Sequence, residues 1–189
     1  MHSRHVARLG MLVVGAVLYA SGCGFAIKYK PGPASVAAPV RGNVTLKVVD
    51  ARPAEHGGDV KNLVGNARGG FGIPARINDE DTNVAPRTVG EATVDALGRV
   101  GLSSQGGPKT LIATITNFWA DGFAGYAAQV AVLYELQDAS GRQLWTAAVK
   151  GGAGGMSIKP GLYQKALLDL ASHAAEQFAS PPFQQALAM

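Results

Sequence analysis

The sequence is poor in the side chains that build disulfides and metal sites. It contains 1 cysteine, and of its 4 histidines only His56 and His173 lie beyond residue 22. A single cysteine excludes an intrachain disulfide, and the usual ligand set of a structural zinc site is missing. The acidic run at 79–81 (Asp-Glu-Asp) lacks the alternating ligand spacing of a calcium loop and is interpreted as a solvated turn. We therefore expect neither a metal nor another cofactor.

Charged residues are also scarce. They make up 16% of the 189 residues, whereas hydrophobic residues make up 47%, a balance that favours a folded core over disorder. Two of the 17 basic residues, Arg4 and Arg8, stand near the N-terminus, which leaves 15 scattered basic residues against 13 acidic ones. A nucleic-acid binder concentrates basic residues on its folded part, so we expect no nucleic-acid partner.

Sequence motifs for nucleophilic or nucleotide chemistry are missing as well. There is no Gly-x-Ser-x-Gly elbow, and residues 157–159 (Ser-Ile-Lys) have the wrong spacing for a Ser-x-x-Lys pair. The glycine run at 151–155 lacks the Gly-Lys-Ser/Thr that holds phosphate and is interpreted as a flexible connection. His173, with Glu176 three residues on, is interpreted as a helix-surface residue. We predict that the protein is not an enzyme.

The first 22 residues have the three parts of a signal peptide. Arg4 and Arg8 make the start positive, and Met11–Ala20 is an apolar run too short to span about 30 Å of hydrocarbon as a helix. Residues 20–22 (Ala-Ser-Gly) then lead to Cys23, an arrangement that resembles the lipobox read by lipoprotein signal peptidase. An ordinary signal peptide followed by a free cysteine is the alternative.

Cys23 is the predicted lipidation site. A lone cysteine in an exported chain has no disulfide partner, and diacyl plus N-acyl modification supplies enough buried chain for stable anchoring. The lipobox usually has leucine where this chain has Ala20, a variant that the pattern tolerates. Gly24 stands where aspartate would signal inner-membrane retention, so the sorting rule favours the outer membrane, with the domain facing the periplasm.

The remaining chain is predicted to divide into a tether at 23–43 and a periplasmic domain at 44–189. Pro31, Pro33 and Pro39 interrupt the tether, and its small side chains favour extended backbone. We expect the tether to lift the domain off the lipid surface. A partner-binding peptide is the alternative interpretation of this segment.

Periodicity predicts an α+β domain with the order strand, helix, three strands, helix. The strands are placed at 44–49, 110–119, 126–136 and 142–150, and the helices open at Pro86 and Pro160. A short helical tail is predicted after the last helix, at 183–188. Because each long helix has one apolar stripe, both are expected on one face of a four-stranded, mainly antiparallel sheet. In the glycine-rich section at 54–85, a hairpin reaching out from the core is predicted around 66–70.

Aromatic residues gather around the turn that follows the strand at 110–119. Alternation places Phe118 and Trp119 on opposite faces, so at least one of them should lie outside the core. Aromatic side chains are favoured at binding surfaces, which makes Trp119, Phe123 and Tyr126 the predicted binding surface. Core packing is the alternative.

Several motifs together resemble the YajG-type bacterial lipoproteins. The resemblance spans residues 44–187 and rests, beside the lipobox and the final helix, on Val49–Arg52, Val64-Gly65, Phe71-Gly72, Asn117–Asp121, Asp138–Gly141 and Trp145. It implies a periplasm-facing lipoprotein of the outer membrane, and it supplies no catalytic residues.

Two functions follow from an anchor, a tether and a domain without catalytic motifs. The first is a non-catalytic protein that binds another envelope protein or peptidoglycan. The second is a ligand-handling auxiliary lipoprotein of a lipid or solute transport system, for which fold-level analogy is the only argument. The second function predicts an apolar groove between helix and sheet.

Overall fold

The computed structural model describes residues 24–33, 42–68, 74–122 and 125–189. The predicted signal peptide, the lipidation site at Cys23 and the aromatic Phe123 lie outside the described residues. No helix within the described ranges has the length and apolar character needed to cross a membrane.

The described residues form an α+β domain. The strands are β1 (Gly24–Phe25), β2 (Gly42–Asn43), β3 (Thr45–Asp50), β4 (Leu63–Arg68), β5 (Pro74–Asp79), β6 (Leu102–Ser103), β7 (Thr110–Asp121), β8 (Tyr126–Gln137) and β9 (Gln143–Gly155). The helices are α1 (Val84–Arg99), α2 (Pro160–Phe178) and α3 (Pro181–Ala188), and a 3-10 turn lies at Ala54–His56. The four predicted strands and both long helices are present, and α3 confirms the predicted helical tail.

The main sheet has seven strands, and the prediction of four was too low. Its order is β1-β5-β4-β7-β8-β9, and β3 also pairs with β7. Strands β7, β8 and β9 form an antiparallel meander, whereas β3 and β4 share the other edge of β7, both parallel to it. The sheet is therefore mixed, because α1 carries the chain back from the β3–β5 region to a strand that runs parallel to β3.

A hairpin is present, but residues 66–68, predicted as part of its turn, belong to β4, and the hairpin is part of the sheet instead of reaching out from the core. β4 and β5 pair antiparallel, and Gly65 of β4 pairs with Ala120 of β7. Val64 and Ile77 belong to the main core, since the hairpin extends the same apolar face as the central strands. Sequence alternation was weak here because glycine, asparagine and arginine interrupt both strands.

Both long helices pack on one face of the sheet, as predicted. Tyr134 of β8 lies fully buried between them: its hydroxyl is 2.9 Å from Thr93 Oγ1 of α1, and its ring packs edge-on against Phe178 of α2. On the opposite face, strand residues such as Lys47, Thr116 and Gln129 are exposed. We call this uncovered side the open face.

The predicted tether is shorter than residues 23–43, because residues 24–33 are packed onto the domain. Ile27 is fully buried, its N–H donates to Asp79 Oδ2 at 2.6 Å, and Arg87 Nη2 donates to its carbonyl at 2.9 Å. The Tyr29 hydroxyl donates to Asp95, and Gln164 binds both backbone groups of Lys30. Residues 34–41 lie outside the described residues.

The glycine run at 151–155 is not a flexible connection, since it forms the last third of β9. A Cβ on Gly151 would lie 2.2 Å from the carbonyl oxygen of Ala166 and 2.4 Å from the amide nitrogen of Leu170. Only glycine allows the backbones of β9 and α2 to approach this closely.

Candidate functional site

The two described residues of the predicted aromatic surface, Trp119 and Tyr126, lie on opposite faces of the sheet. Trp119 is 8% exposed on the open-face side, where the His56 ring stacks on it with centroids 5.0 Å apart. Tyr126 is half-buried and packs against the core beneath the helices. Phe118 also lies on the helix side, fully buried and stacked on Tyr163 at 5.6 Å. The predicted opposition of Phe118 and Trp119 is confirmed, but Trp119 is covered by the loop after β3.

A buried arginine holds that loop in place. Arg52 binds Asp50 through two hydrogen bonds, Nε to Oδ1 at 2.9 Å and Nη2 to Oδ2 at 3.0 Å, and also donates to the carbonyls of Lys61 and Leu63. Burial favours the neutral form of Asp50, but the Arg52 guanidinium outweighs it and lowers the pKa of the carboxyl group. The pair therefore positions the loop that places His56 over Trp119.

A second buried network fixes the N-terminal segment to both helices. Arg99 donates to Asp95 at 2.7 Å and to Ser172 at 3.1 Å, and Asp95 also accepts from Tyr29. Burial and the neighbouring Asp95 carboxylate raise the pKa of Tyr29, so its hydroxyl stays protonated as a donor. The alternation of Phe25, Ile27 and Tyr29 is the sequence pattern that indicates packing of this segment. The surrounding prolines and lysines obscured the pattern.

The open face contains a cavity of about 530 Å³. Its lining combines amide, hydroxyl, ammonium and carboxylate groups with glycine backbone, namely Thr116, Asn117, Gln129, Val130, Ala131, Lys150, Gly151, Gly152 and Asp169. A β-bulge at Thr116-Asn117 shapes its floor, because the pairing register with β8 shifts there. Asn117 Oδ1 is buried and has no hydrogen-bond partner among the described residues.

An unpartnered buried oxygen is costly unless a bound molecule or a water satisfies it. Asn117 Oδ1 is enclosed beside the cavity, and the described residues supply it with no donor. Sequence reasoning missed this site because its residues come from three strands and a helix, and no local motif joins them.

The rim of the cavity at β9 is held by α2. Gly152 N–H donates to Asp169 Oδ2 at 2.9 Å, and His173 Nδ1 is 2.9 Å from the Lys150 carbonyl. The hydrogen bond to this carbonyl, with Asp169 and Glu176 nearby, raises the pKa of His173. The two α2 side chains thereby satisfy backbone groups at the edge strand and leave the cavity open toward the sheet face.

Metal ligands are not grouped in the described part of the chain. No cluster of three or more histidine, cysteine, aspartate or glutamate side chains occurs there. His56, which stands between Glu55 and Gly57 in the sequence, is engaged by the Trp119 ring instead.

Comparison with known proteins gives the fold and no family. No family model matches the sequence, and no curated protein matches it. The chain is similar in structure to XCC0632 from Xanthomonas campestris, of the DUF330 family, with a TM-score of 0.55, 15% identity, and coverage of 86% of this chain and 96% of that one. At this identity the similarity shows a shared α+β fold alone.

Two further solved structures are more distant. Lipoprotein GNA1162 from Neisseria meningitidis has a TM-score of 0.43 and 14% identity over 73% of this chain and 98% of its own. The PelC dodecamer from Paraburkholderia phytofirmans has a TM-score of 0.42 and 20% identity over 79% of this chain and 92% of its own. The resemblance to YajG-type lipoproteins stays a prediction.

Proposed function

We propose that the protein is a lipoprotein anchored in the outer membrane through Cys23, which faces the periplasm and binds another envelope component without catalysing a reaction. The lipobox supports the anchor, and the single structural observation that supports binding is the cavity on the open face, with its unpartnered Asn117 oxygen. Because both long helices pack on one face of this sheet, the open face is available to a partner.

The lining of the cavity favours a partner rich in hydrogen-bonding groups. Gln129 and Lys150 are exposed and offer donors, and the exposed backbone of Gly152 allows close approach. An extended peptide of an envelope protein and the peptide or glycan of peptidoglycan both meet this description. The transport alternative required an apolar groove between helices and sheet, where the described side chains such as Tyr134, Leu167 and Leu170 are instead fully buried.

Site-specific crosslinking in intact cells tests the proposal. A photo-crosslinking amino acid replaces Gln129, which is exposed on the open face, and in a matched control it replaces Gln185, which is exposed on α3. We expect a reproducible crosslinked product from position 129 only. Its digestion by protease or by muramidase then identifies the partner as protein or peptidoglycan.

Equal crosslinking at both positions, or none at position 129, would contradict binding through the open face. A second substitution, Asn117→Ala, is combined with the crosslinker at position 129: it should weaken the crosslink while leaving the protein folded and membrane-bound.

A further inference from the structure

Gly24, the first described residue, opens β1 on one side of the main sheet. β1 runs parallel to β5, with Gly24 opposite Asn78. β5 begins at Pro74, and its antiparallel partner β4 ends at Arg68 opposite that residue. The N-terminal end of β1 therefore faces the same end of the sheet as the start of β5 and the end of β4.

Four other elements begin or finish at the same end of the sheet. β7 is parallel to β4 and finishes there at Asp121, β8 starts there at Tyr126, and β9 finishes there at Gly155. α2 then begins at Pro160. We call this surface the anchor end, defined by Arg68, Pro74, Asp121, Tyr126, Gly155 and the first turn of α2.

Chain length leaves no room for a spacer between a lipid on Cys23 and the anchor end. Adjacent Cα atoms are about 3.8 Å apart, so Cys23 lies within that distance of Gly24. Gly24 is level with Asn78, four residues into β5, and at about 3.3 Å per residue the hairpin strands extend about 13 Å past it. The headgroup region is only about 5–7 Å thick on each side of the bilayer, so strand ends at this distance must meet it.

The segment after Cys23 cannot act as a hinge, because it is fixed residue by residue. Ile27 is bound through both backbone groups, Lys30 is bound through both of its own to Gln164, and Phe25 packs on Tyr163 with ring centroids 5.9 Å apart. A hinge within residues 25–30 would require this packing to break.

The side chains of the anchor end suit a phospholipid surface. Arg68, Arg76 and Lys159 are exposed there, against the exposed acid Asp121. Met156 is 87% exposed directly after β9. Basic residues close to an anionic bilayer are attracted to it, and an exposed methionine at the same end adds apolar contact.

We infer that the domain docks directly on the bilayer that holds its lipid, with the anchor end against anionic phospholipid headgroups and the open face oriented sideways along the membrane. The inference rests on the proposed lipidation of Cys23. The predicted tether would hold the domain off the membrane surface. Direct docking instead gives the domain one orientation on that surface.

Depth-sensitive fluorescence of the lipidated full-length protein tests the inference. Because the chain has 1 cysteine and the lipid occupies its sulfur, a second cysteine is uniquely reactive. Met156→Cys places an environment-sensitive fluorophore at the anchor end, and Ala139→Cys places it in the exposed β8–β9 turn at the opposite end. Vesicles contain phosphatidylethanolamine and phosphatidylglycerol, with a lipid-bound quencher.

The label at position 156 should shift to shorter wavelength and lose at least about half of its emission to the quencher, whereas the label at position 139 should change little. Lys159→Glu should reduce the quenching at position 156, and Lys47→Glu, away from the anchor end, should not. Water-like emission at both positions in protein that floats with the vesicles would overturn direct docking and leave the anchor standing. Protein that carries no lipid and does not float would overturn the proposed function itself.

Discussion

Arg52 illustrates how a single side chain organises a loop that has no regular structure. Its guanidinium is buried, forms two hydrogen bonds with the Asp50 carboxylate, and lies 6.0 Å from the centroid of the Phe118 ring. Because it also binds two backbone carbonyls of the loop, it supplies partners that a strand or helix would otherwise provide.

Arg52→Ala is expected to destabilise the domain by about 3–5 kcal/mol, because the buried Asp50 carboxylate keeps only Lys61 as a cationic partner and two loop carbonyls lose their donor. Urea unfolding followed by circular dichroism measures the change. The matched control is Arg142→Ala: Arg142 is 68% exposed in its pair with Asp138, so its loss should cost about 1 kcal/mol or less. Similar losses for both variants would contradict the role given to Arg52.

The same ion pair predicts an acid-sensitive component of stability. The pKa of Asp50 is lowered in the folded state, so its contribution is fully present above the unfolded value of about 3.9 and is lost as pH falls through the folded value. The free energy of unfolding of the wild type should therefore fall more steeply below about pH 4 than that of Asp50→Asn. Parallel pH profiles for the two proteins would show that Asp50 contributes nothing of this kind.

At the scale of elements, close approach of β9 to α2 depends on one glycine. Gly151→Ala is expected to destabilise the domain by about 1–3 kcal/mol, because the added methyl group would overlap the backbone of α2. Gly152→Ala is the matched control, since its nearest neighbour would be the Ala128 carbonyl at 3.8 Å, an ordinary contact. Thermal unfolding compares the two, and an equal effect would contradict the packing argument.

The N-terminal segment, residues 24–33, is expected to contribute to the free energy of unfolding of the domain. Ile27→Ala should cost about 2–5 kcal/mol, the usual range for a fully buried aliphatic side chain, whereas Lys28→Ala on the exposed side should cost less than about 0.5 kcal/mol. Limited trypsin digestion provides a second readout, because the bond after Lys28 should be cleaved faster in the Ile27 variant. Fast cleavage of the wild type would show that the segment is not packed.

Prediction from sequence succeeded where one periodicity held over a long stretch. The meander from β7 to β9 and the helices α1 and α2 were placed to within a few residues, because alternation or a helical stripe continues through each. It failed at β1 and at the end of β9, where pairing with distant strands, rather than local side-chain pattern, decides the structure. The cavity was beyond prediction for the same reason, since Asn117, Lys150 and Asp169 meet only in the folded chain.

At the scale of the whole molecule, the two faces of the sheet differ in what covers them. One face carries the helices and the core, which leaves the open face with its hydrogen-bonding cavity free for a partner. The predicted lipid at Cys23 would adjoin the anchor end at right angles to that face. A protein held in this way presents its cavity to neighbours in the same membrane or to peptidoglycan close above it.

Lipid labelling of Cys23 tests the central claim most directly. Cells that express the wild type or Cys23→Ala are grown with an alkyne fatty acid, and labelled protein is detected in membrane and soluble fractions. We predict that the wild type is labelled and stays with outer membranes after a high-salt wash, and that Cys23→Ala is unlabelled and leaves the membrane fraction. An unlabelled wild type, or a Cys23→Ala variant bound to membranes at the wild-type level, would contradict the account.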